Sequence, residues 1–344
     1  MKESRMTSRR TPLHLRGLGT IAATAVILGT AAPARAVAAP HGLRTADNGA
    51  RIVSQEWLDT STFDFTVASP AIGSDQKVRV LVPRGWSSRS ARTWPVLFAF
   101  HGGRDTYVSW TRSSQIKTIA NTYDVMVVMP EADNGGYADW WNYGKRGTPR
   151  WEQFHMSEVR QLVERNYRAG EVRACMGNSS GGQGCIAYAA RHPGAFRYAA
   201  SMSGILSLLS PGIPRLLTVT NLLNALDPFR IWGIPGVDDA NWRAHDPLAL
   251  APRLRGTGLF IASGTNGLPG PLDDESTVVG GLIEAPTGTT NIEFRNRLRE
   301  LGIPVTARLY GPGSHSWPYW RRELDAVWPS LMSAIGAAKT GSSA

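Results

Sequence analysis

The stretch Arg173-Ala174-Cys175-Met176-Gly177-Asn178-Ser179-Ser180-Gly181-Gly182-Gln183-Gly184-Cys185-Ile186-Ala187-Tyr188-Ala189-Ala190-Arg191 decides the fold. Residues 173–176 read as a buried strand and residues 180–191 as a helix whose small side chains can lie against a sheet. Between them, Gly177 to Gly181 has the form G-x-S-x-G. A serine on so tight a strand-to-helix turn is held in a strained backbone conformation. Its flanking residues must be small, because strand and helix backbones nearly touch there. In a chain with 36 glycines the five-residue pattern alone says little; the strand before it and the helix after it give it weight.

Working outward, strand-like runs alternate with helical ones. Strands are expected at 63–67, 77–82, 94–100, 125–129, 198–202, 258–263 and 305–310. Helices are expected at 113–123, 152–166, 291–301 and 319–338, with a long Gly/Pro-rich loop before residue 291. Continuous apolar runs such as Trp94-Pro95-Val96-Leu97-Phe98-Ala99-Phe100 suit strands covered on both sides. The alternation implies an α/β fold of the α/β-hydrolase type, with a mostly parallel central sheet and helices on both faces. No internal repeat or linker divides it. The expected division is a signal peptide at 1–36, an N-terminal extension at 37–62, a catalytic domain at 63–338 and a disordered tail at 339–344.

In this fold the nucleophile is followed in chain order by an acid and then a histidine, each on a later loop. Ser179 is the expected nucleophile. His315, in Gly313-Ser314-His315-Ser316-Trp317 just beyond the last expected strand, is its base. The acid should lie between residues 263 and 291, where the carboxylates are Asp273, Asp274, Glu275 and Glu284. Asp273 is the leading choice as the first of three consecutive acids, with Asp274 and Glu275 as alternatives. His101-Gly102-Gly103 follows the strand at 94–100, so the oxyanion donors are expected from the backbone N–H groups of Gly103 and Ser180. His101 itself reads as structural. Trp140, Trp141, Trp232, Trp317 and Trp320 are expected on cleft loops, with Trp317 and Arg104 as substrate contacts. The apolar stretch 205–226 is either a helical flap beside an acyl pocket or helix core.

The formal net charge of +10 is partly concentrated at the N-terminus. Residues 1–36 carry six basic residues against Glu3, which leaves about +5 on the remainder. Those charges are scattered, with no basic helix or aromatic-basic interleave of the kind that binds nucleic acid. Residues 1–36 themselves combine a basic start, an apolar run and Ala34-Arg35-Ala36, a signal-peptide pattern whose Arg9-Arg10 pair hints at twin-arginine export. No later segment is long and apolar enough to span a membrane, so a secreted protein is expected. The two cysteines, Cys175 and Cys185, flank the serine turn and are either buried thiols or one strand-to-helix bridge. No histidine-cysteine-carboxylate cluster has metal-ligand spacing, and no dinucleotide or phosphate-loop motif is present, so neither a metal nor another cofactor is implied.

With these residues placed, the chain resembles the mycolyltransferases of the antigen 85 complex, within a wider esterase D-like group of secreted actinobacterial esterases. The resemblance runs from about residue 63 to 328. It is carried by Phe65-Thr66-Val67-Ala68-Ser69-Pro70, Val127-Val128-Met129-Pro130, Trp151-Glu152-Gln153-Phe154, the serine turn through Arg191-His192-Pro193, Asp246-Pro247-Leu248 and, most specifically, His315-Ser316-Trp317-Pro318-Tyr319-Trp320. It implies that Ser179 and His315 are catalytic, that Gly103 and Ser180 form the oxyanion site, and that Arg104 matches an arginine next to it. Two departures stand out: the family's acid-bearing loop is shorter, and His101 replaces an aspartate of the sugar-binding stretch.

The expected function is serine-dependent acyl transfer or ester hydrolysis through an acyl-enzyme, on a lipid-like or acylated-sugar ester with a sugar or glycerol acceptor. The alternatives are a carbohydrate esterase of the feruloyl type and a non-catalytic secreted binding protein.

Overall fold

The computed structural model describes residues 42–274 and 278–340; the stretch read as a signal peptide, Glu275 and the last four residues lie outside them. The strands are β1 (Arg51–Asp59), β2 (Thr62–Ser69), β3 (Ser74–Leu81), β4 (Trp94–Phe100), β5 (Met126–Pro130), β6 (Ala169–Asn178), β7 (Tyr198–Met202), β8 (Gly258–Gly264) and β9 (Thr306–Tyr310). They form one sheet in the order β1-β2-β3-β5-β4-β6-β7-β8-β9. From β5 to β9 neighbouring strands run parallel, while β1, β2 and β3 add an antiparallel edge.

Both faces of the parallel region are buried, and the side chains alternate between them. Val96, Phe98, Phe100, Met126, Val128 and Cys175 enter one core, together with Ile186 and Tyr188 of the helix Ser180–Arg191. Leu97, Ala99, Val127, Met129, Ala174 and Met176 enter the other, against Leu324, Trp328 and Leu331 of the helix Trp317–Ile335. This is the doubly covered sheet expected from the apolar runs.

The sheet begins earlier than expected. β1 lies inside the segment read as an extension and pairs with β2 from Arg51↔Ala68 to Asp59↔Thr62. Within β1 only Ile52 is buried. An edge strand without a buried face lacks the alternation that marks strands in sequence. At the other end, Thr340 N–H donates to Thr122 O at 2.8 Å, within the segment read as a tail.

The larger difference follows β8. Where the sequence suggested a long loop, a helix runs over Val278–Glu300 with Pro286 inside it. Its glycines are there for contact. A Cβ on Gly288 would stand 2.2 Å from Gly264 O, and one on Gly281 would stand 2.1 Å from Gly267 O. The helix therefore rides directly on the backbone leaving β8. Residues that lower intrinsic helix propensity are kept because tertiary packing requires them.

On the opposite flank, His155 is fully buried. Its Nε2 is 2.9 Å from Glu131 O and its Nδ1 is 2.9 Å from Tyr188 Oη. The neutral Nε2–H form donates to the carbonyl and accepts from the tyrosine, so it satisfies both contacts. Burial pushes the pKa of His155 from 6.5 down to about 3. The unfolded chain protonates this histidine near pH 6.5, while the folded chain resists. Its contribution is therefore complete above pH 6.5 and is lost progressively as pH falls toward about 3. At pH 5 the loss should be about 2 kcal/mol relative to pH 7.5. Urea unfolding at the two pH values should show this difference in the wild type, and it should be smaller by that amount in His155→Gln. An unchanged difference in the variant would assign the acid sensitivity to other groups.

Candidate active site

β6 delivers the chain to Ser179, and the helix Ser180–Arg191 carries it away. Ser179 has φ 52° and ψ −126°, a region that non-glycine residues occupy only when their surroundings impose it. The surroundings do so. A Cβ on Gly177 would lie 2.3 Å from Gly181 C, and one on Gly181 would lie 2.5 Å from both Phe100 O and His101 O. Strand, helix and the end of β4 thus meet backbone to backbone. Ser179 N–H donates to Met202 O at 2.8 Å, which ties the turn to β7. Cys175 and Cys185 form a disulfide between the strand and the helix on either side of the turn.

His315 stands on the loop between β9 and the helix Trp317–Ile335. Its Nε2 is 2.8 Å from Ser179 Oγ, and its ring meets Trp320 edge-on at 5.2 Å. Its Nδ1 is 2.7 Å from Oε2 of Glu284. Glu284 is fully buried on the helix Val278–Glu300. Its Oε1 accepts from Ser203 Oγ at 2.8 Å, Ser263 Oγ at 2.9 Å and Gly264 N–H at 2.8 Å. Trp320 Nε1–H in turn donates to Ser203 Oγ at 3.1 Å. One carboxylate oxygen is therefore fixed by three donors while the other faces the imidazole.

The acid expected at Asp273 is not where the geometry puts it. Both ring nitrogens of His315 are engaged, by Glu284 and Ser179. Asp273 instead accepts from Gly270 N–H at 2.7 Å, Tyr319 Oη at 3.0 Å and the Ser314 hydroxyl, so it fastens the loop that leads to His315. Of the two alternatives, Asp274 is exposed and Glu275 lies outside the described residues. The helix around Glu284 is the cause of the difference. Gly280, Gly281, Pro286 and Gly288 read as loop, and they masked a buried carboxylate that sits among Leu282, Ile283 and Ala285. An acid alone in an apolar run was the usable signal.

Ser179, His315, Gly103, Ser180 and Arg104 line one cavity of about 210 Å³. Its remaining wall is polar at Asn134, Gln183 and Asn221, and apolar at Ile205, Leu217, Ile231, Trp232 and Ile283. Arg104 N–H donates to Asn134 Oδ1 at 2.8 Å, which fixes the loop after Gly103. His101 is buried, with Nδ1 2.7 Å from Gly102 O and Nε2 accepting from Ala132 N–H at 2.9 Å. Tyr137 Oη donates to His101 O at 2.6 Å. The ring thus braces the Gly102-Gly103 turn from behind and does not enter the cavity.

Trp317 is corrected as well: it packs edge-on against Trp110 and Trp320, each at 5.2 Å, and does not line this cavity. As the first residue of its helix, it is drawn into the core that Trp110 anchors. Among the five tryptophans expected at the cleft, only Trp232 lines it. The stretch 205–226 divides its roles. Leu206 and Leu208 are core, and the helix Ile213–Leu223 turns Leu216, Leu217, Thr220 and Asn221 to the cavity while Leu222 and Leu223 face solvent. Among the described residues, no helix is long and apolar enough to cross a membrane.

The Esterase family model matches residues 69–331. An esterase of Mycobacterium tuberculosis is 31% identical over 306 residues, spanning 84% of this chain and 64% of that relative. The diacylglycerol acyltransferase/mycolyltransferase Ag85B of Mycolicibacterium smegmatis is 30% identical over 283 residues, 78% of this chain and 84% of that relative. The chain belongs to the esterase family of the antigen 85 proteins. Its fold is that of the α/β-hydrolases. The crystal structure of Mycobacterium tuberculosis MPT51 (FbpC1) superposes with a TM-score of 0.64 at 24% identity, covering 78% of this chain and 97% of that one. An S-formylglutathione hydrolase from Agrobacterium tumefaciens gives 0.64 at 18% identity, covering 83% and 100%. The chain thus spans just under two thirds of the length of the mycobacterial esterase, and nearly all of the two superposed structures.

Proposed function

We propose that this member of the esterase family is a serine carboxylic-ester hydrolase or acyltransferase that works through an acyl-enzyme, with Ser179 as nucleophile, His315 as base and Glu284 as acid. The observation that carries the reading is the continuous path from Ser179 Oγ through the His315 ring to Glu284, at 2.8 and 2.7 Å. Ser179 Oγ attacks the ester carbonyl as His315 Nε2 takes its proton. The carbonyl oxygen becomes an oxyanion, for which the N–H groups of Gly103 and Ser180 are the donors beside the serine. Each such donor supplies about 2.7–4 kcal/mol of transition-state stabilisation. His315 then passes the proton to the departing alkoxide, and the C–O bond breaks. Water or an acceptor alcohol attacks the acyl-enzyme by the same route in reverse. The Glu284 carboxylate holds the ring in the tautomer that leaves Nε2 free to accept, and it stabilises the imidazolium that forms. A non-catalytic binding protein would have no use for this set.

The division of the cavity supports both resolutions of the acyl-enzyme. Ile205, Leu217 and Trp232 suit an acyl chain, while Arg104, Asn134 and Gln183 present donors and acceptors to a hydroxylated acceptor. Positioning an acceptor hydroxyl and excluding water decide which nucleophile wins. With a medium-chain p-nitrophenyl ester and rising glycerol, glucose or trehalose, a substantial share of acyl groups should appear as new ester by mass spectrometry. Free acid as the sole product at saturating acceptor, for all three, would restrict the activity to hydrolysis.

Export belongs to the same proposal. A disulfide between Cys175 and Cys185 suits an oxidising compartment, in line with the leader-like residues 1–36. Intact mass of the secreted protein should correspond to cleavage after Ala36. A mature start beyond about residue 43, or no secretion, would count against it.

A further inference from the structure

Ser203 is buried one residue beyond β7, with φ 53°. A non-glycine residue at such a φ is uncommon, and glycine would take the same backbone without steric cost. An unfavourable conformation kept for a serine points to a use for its side chain. The backbone is held in place by Ser203 N–H, which donates to Ala262 O of β8 at 2.7 Å.

The hydroxyl has two partners. Trp320 Nε1 lies 3.1 Å from Ser203 Oγ, and Glu284 Oε1 lies 2.8 Å from it. An indole N–H only donates, so Ser203 Oγ accepts from Trp320 and its single hydrogen is directed to Glu284. Ser263 lacks this constraint. Its one hydrogen has two acceptors in reach, Gly264 O and Glu284 Oε1, both at 2.9 Å. Trp320 is also the residue whose ring meets His315 edge-on at 5.2 Å. One side chain therefore abuts the base and sets the donor that holds the acid. Neither Ser203 nor Trp320 lines the cavity of about 210 Å³ that contains Ser179.

We propose that Ser203 and Trp320 are a positioning pair for ester turnover. The Trp320 indole turns the Ser203 hydroxyl, and the hydroxyl fixes Oε1 of Glu284 so that Oε2 stays on Nδ1 of His315. The proposal rests on the reading of Ser179, His315 and Glu284 as nucleophile, base and acid. A hydrogen bond to an ionised group is stronger than one between neutral partners. Losing the Ser203 hydroxyl removes such a donor from Oε1 and leaves the Trp320 N–H without its acceptor. Oε2 is then held less firmly on the ring, and the imidazolium formed during proton transfer is less well stabilised. Because neither group meets the substrate, the loss falls on kcat and not on KM.

The test is steady-state turnover of a p-nitrophenyl ester by Ser203→Ala, Trp320→Phe and Glu284→Gln, and by Ser203→Ala combined with Glu284→Gln. Each variant is first checked for a cooperative melt. Ser203→Ala should lower kcat about 10- to 100-fold with KM unchanged, the scale of a hydrogen bond to a charged group. Trp320→Phe keeps a ring against His315 and should cost a few-fold, again in kcat. Once residue 284 is already Gln, Ser203→Ala should cost less than about threefold, because its effect passes through the carboxylate. A merely structural role would carry the full loss into the double variant. Should Ser203→Ala not fold, Ser203→Gly carries the test alone and with Glu284→Gln, since glycine adopts φ 53° freely. Wild-type kcat in the folded Ser203 variant beside an impaired Glu284→Gln would overturn this proposal and leave the triad standing. A change in KM alone, an equal loss in both backgrounds, or wild-type kcat in Trp320→Phe would do the same. Glu284→Gln at the wild-type rate would overturn the triad reading and this proposal with it.

Discussion

Glu284→Gln is expected to lower kcat for ester turnover by about 10⁴-fold, the scale seen when a triad carboxylate becomes an amide. Asp273→Asn is expected to stay within a few-fold of wild type. The amide has no good orientation at position 284. If its nitrogen faces His315 Nδ1, the ring must present a lone pair there, so Nε2 carries the proton and cannot accept one from Ser179. If its oxygen faces the ring, the NH₂ group confronts the hydroxyls of Ser203 and Ser263 and the N–H of Gly264, which now donate to Oε1. The first orientation loses the base, and the second leaves buried donors without acceptors. Asp273 accepts from Ser314 and Tyr319, and both ring nitrogens of His315 are engaged by other groups. Initial rates with a p-nitrophenyl ester on both variants and the wild type decide the matter. A larger loss in Asp273→Asn than in Glu284→Gln would return the acid to the position first expected.

The other large effect is at the nucleophile. Ser179→Ala should reduce kcat by about 10⁴–10⁶-fold and leave KM for the ester near its wild-type value, because the alanine removes only the attacking atom. The residual rate should come from the oxyanion donors and from binding. The fold should survive, since the turn is fixed by Gly177, Gly181 and the Ser179 N–H bond to Met202 O, none of which needs the hydroxyl. The checks are matched melting curves together with turnover. Wild-type turnover in a folded Ser179→Ala protein would remove the serine from the mechanism.

That Ser179 and His315 come together was legible in the sequence because each is announced locally. Gly177 is demanded by backbone contact with Gly181 and Gly182 in the same turn, and His315 lies in the loop Gly311-Pro312-Gly313-Ser314-His315 just beyond the last expected strand. That Gly103 and Ser180 lie beside them in the cavity was legible too, since Gly103 follows β4 within three residues and Ser180 begins the helix after Ser179. The place of Glu284 beside His315 was not legible, because it depends on a helix whose glycines serve contacts with residues 264–267, set by the tertiary fold. Ser203 and Ser263, the hydroxyls on Oε1 of Glu284, are the residue after β7 and the next-to-last residue of β8. Nothing in their neighbours distinguishes them from any other buried serine. Trp317 misled for the opposite reason, since an aromatic next to a candidate base suggests a cleft wall, and its packing on Trp110 is visible only in three dimensions. β1 was missed because an edge strand with one buried residue carries almost no pattern.

The most direct measurement is peptide mapping of the protein after reaction with a fluorophosphonate. An activated serine forms a covalent adduct with this probe, and a passive one does not. The account predicts one adduct, on Ser179, lost in Ser179→Ala and formed far more slowly in Glu284→Gln than in Asp273→Asn. An adduct on another serine, or none on the folded wild-type protein, would contradict it.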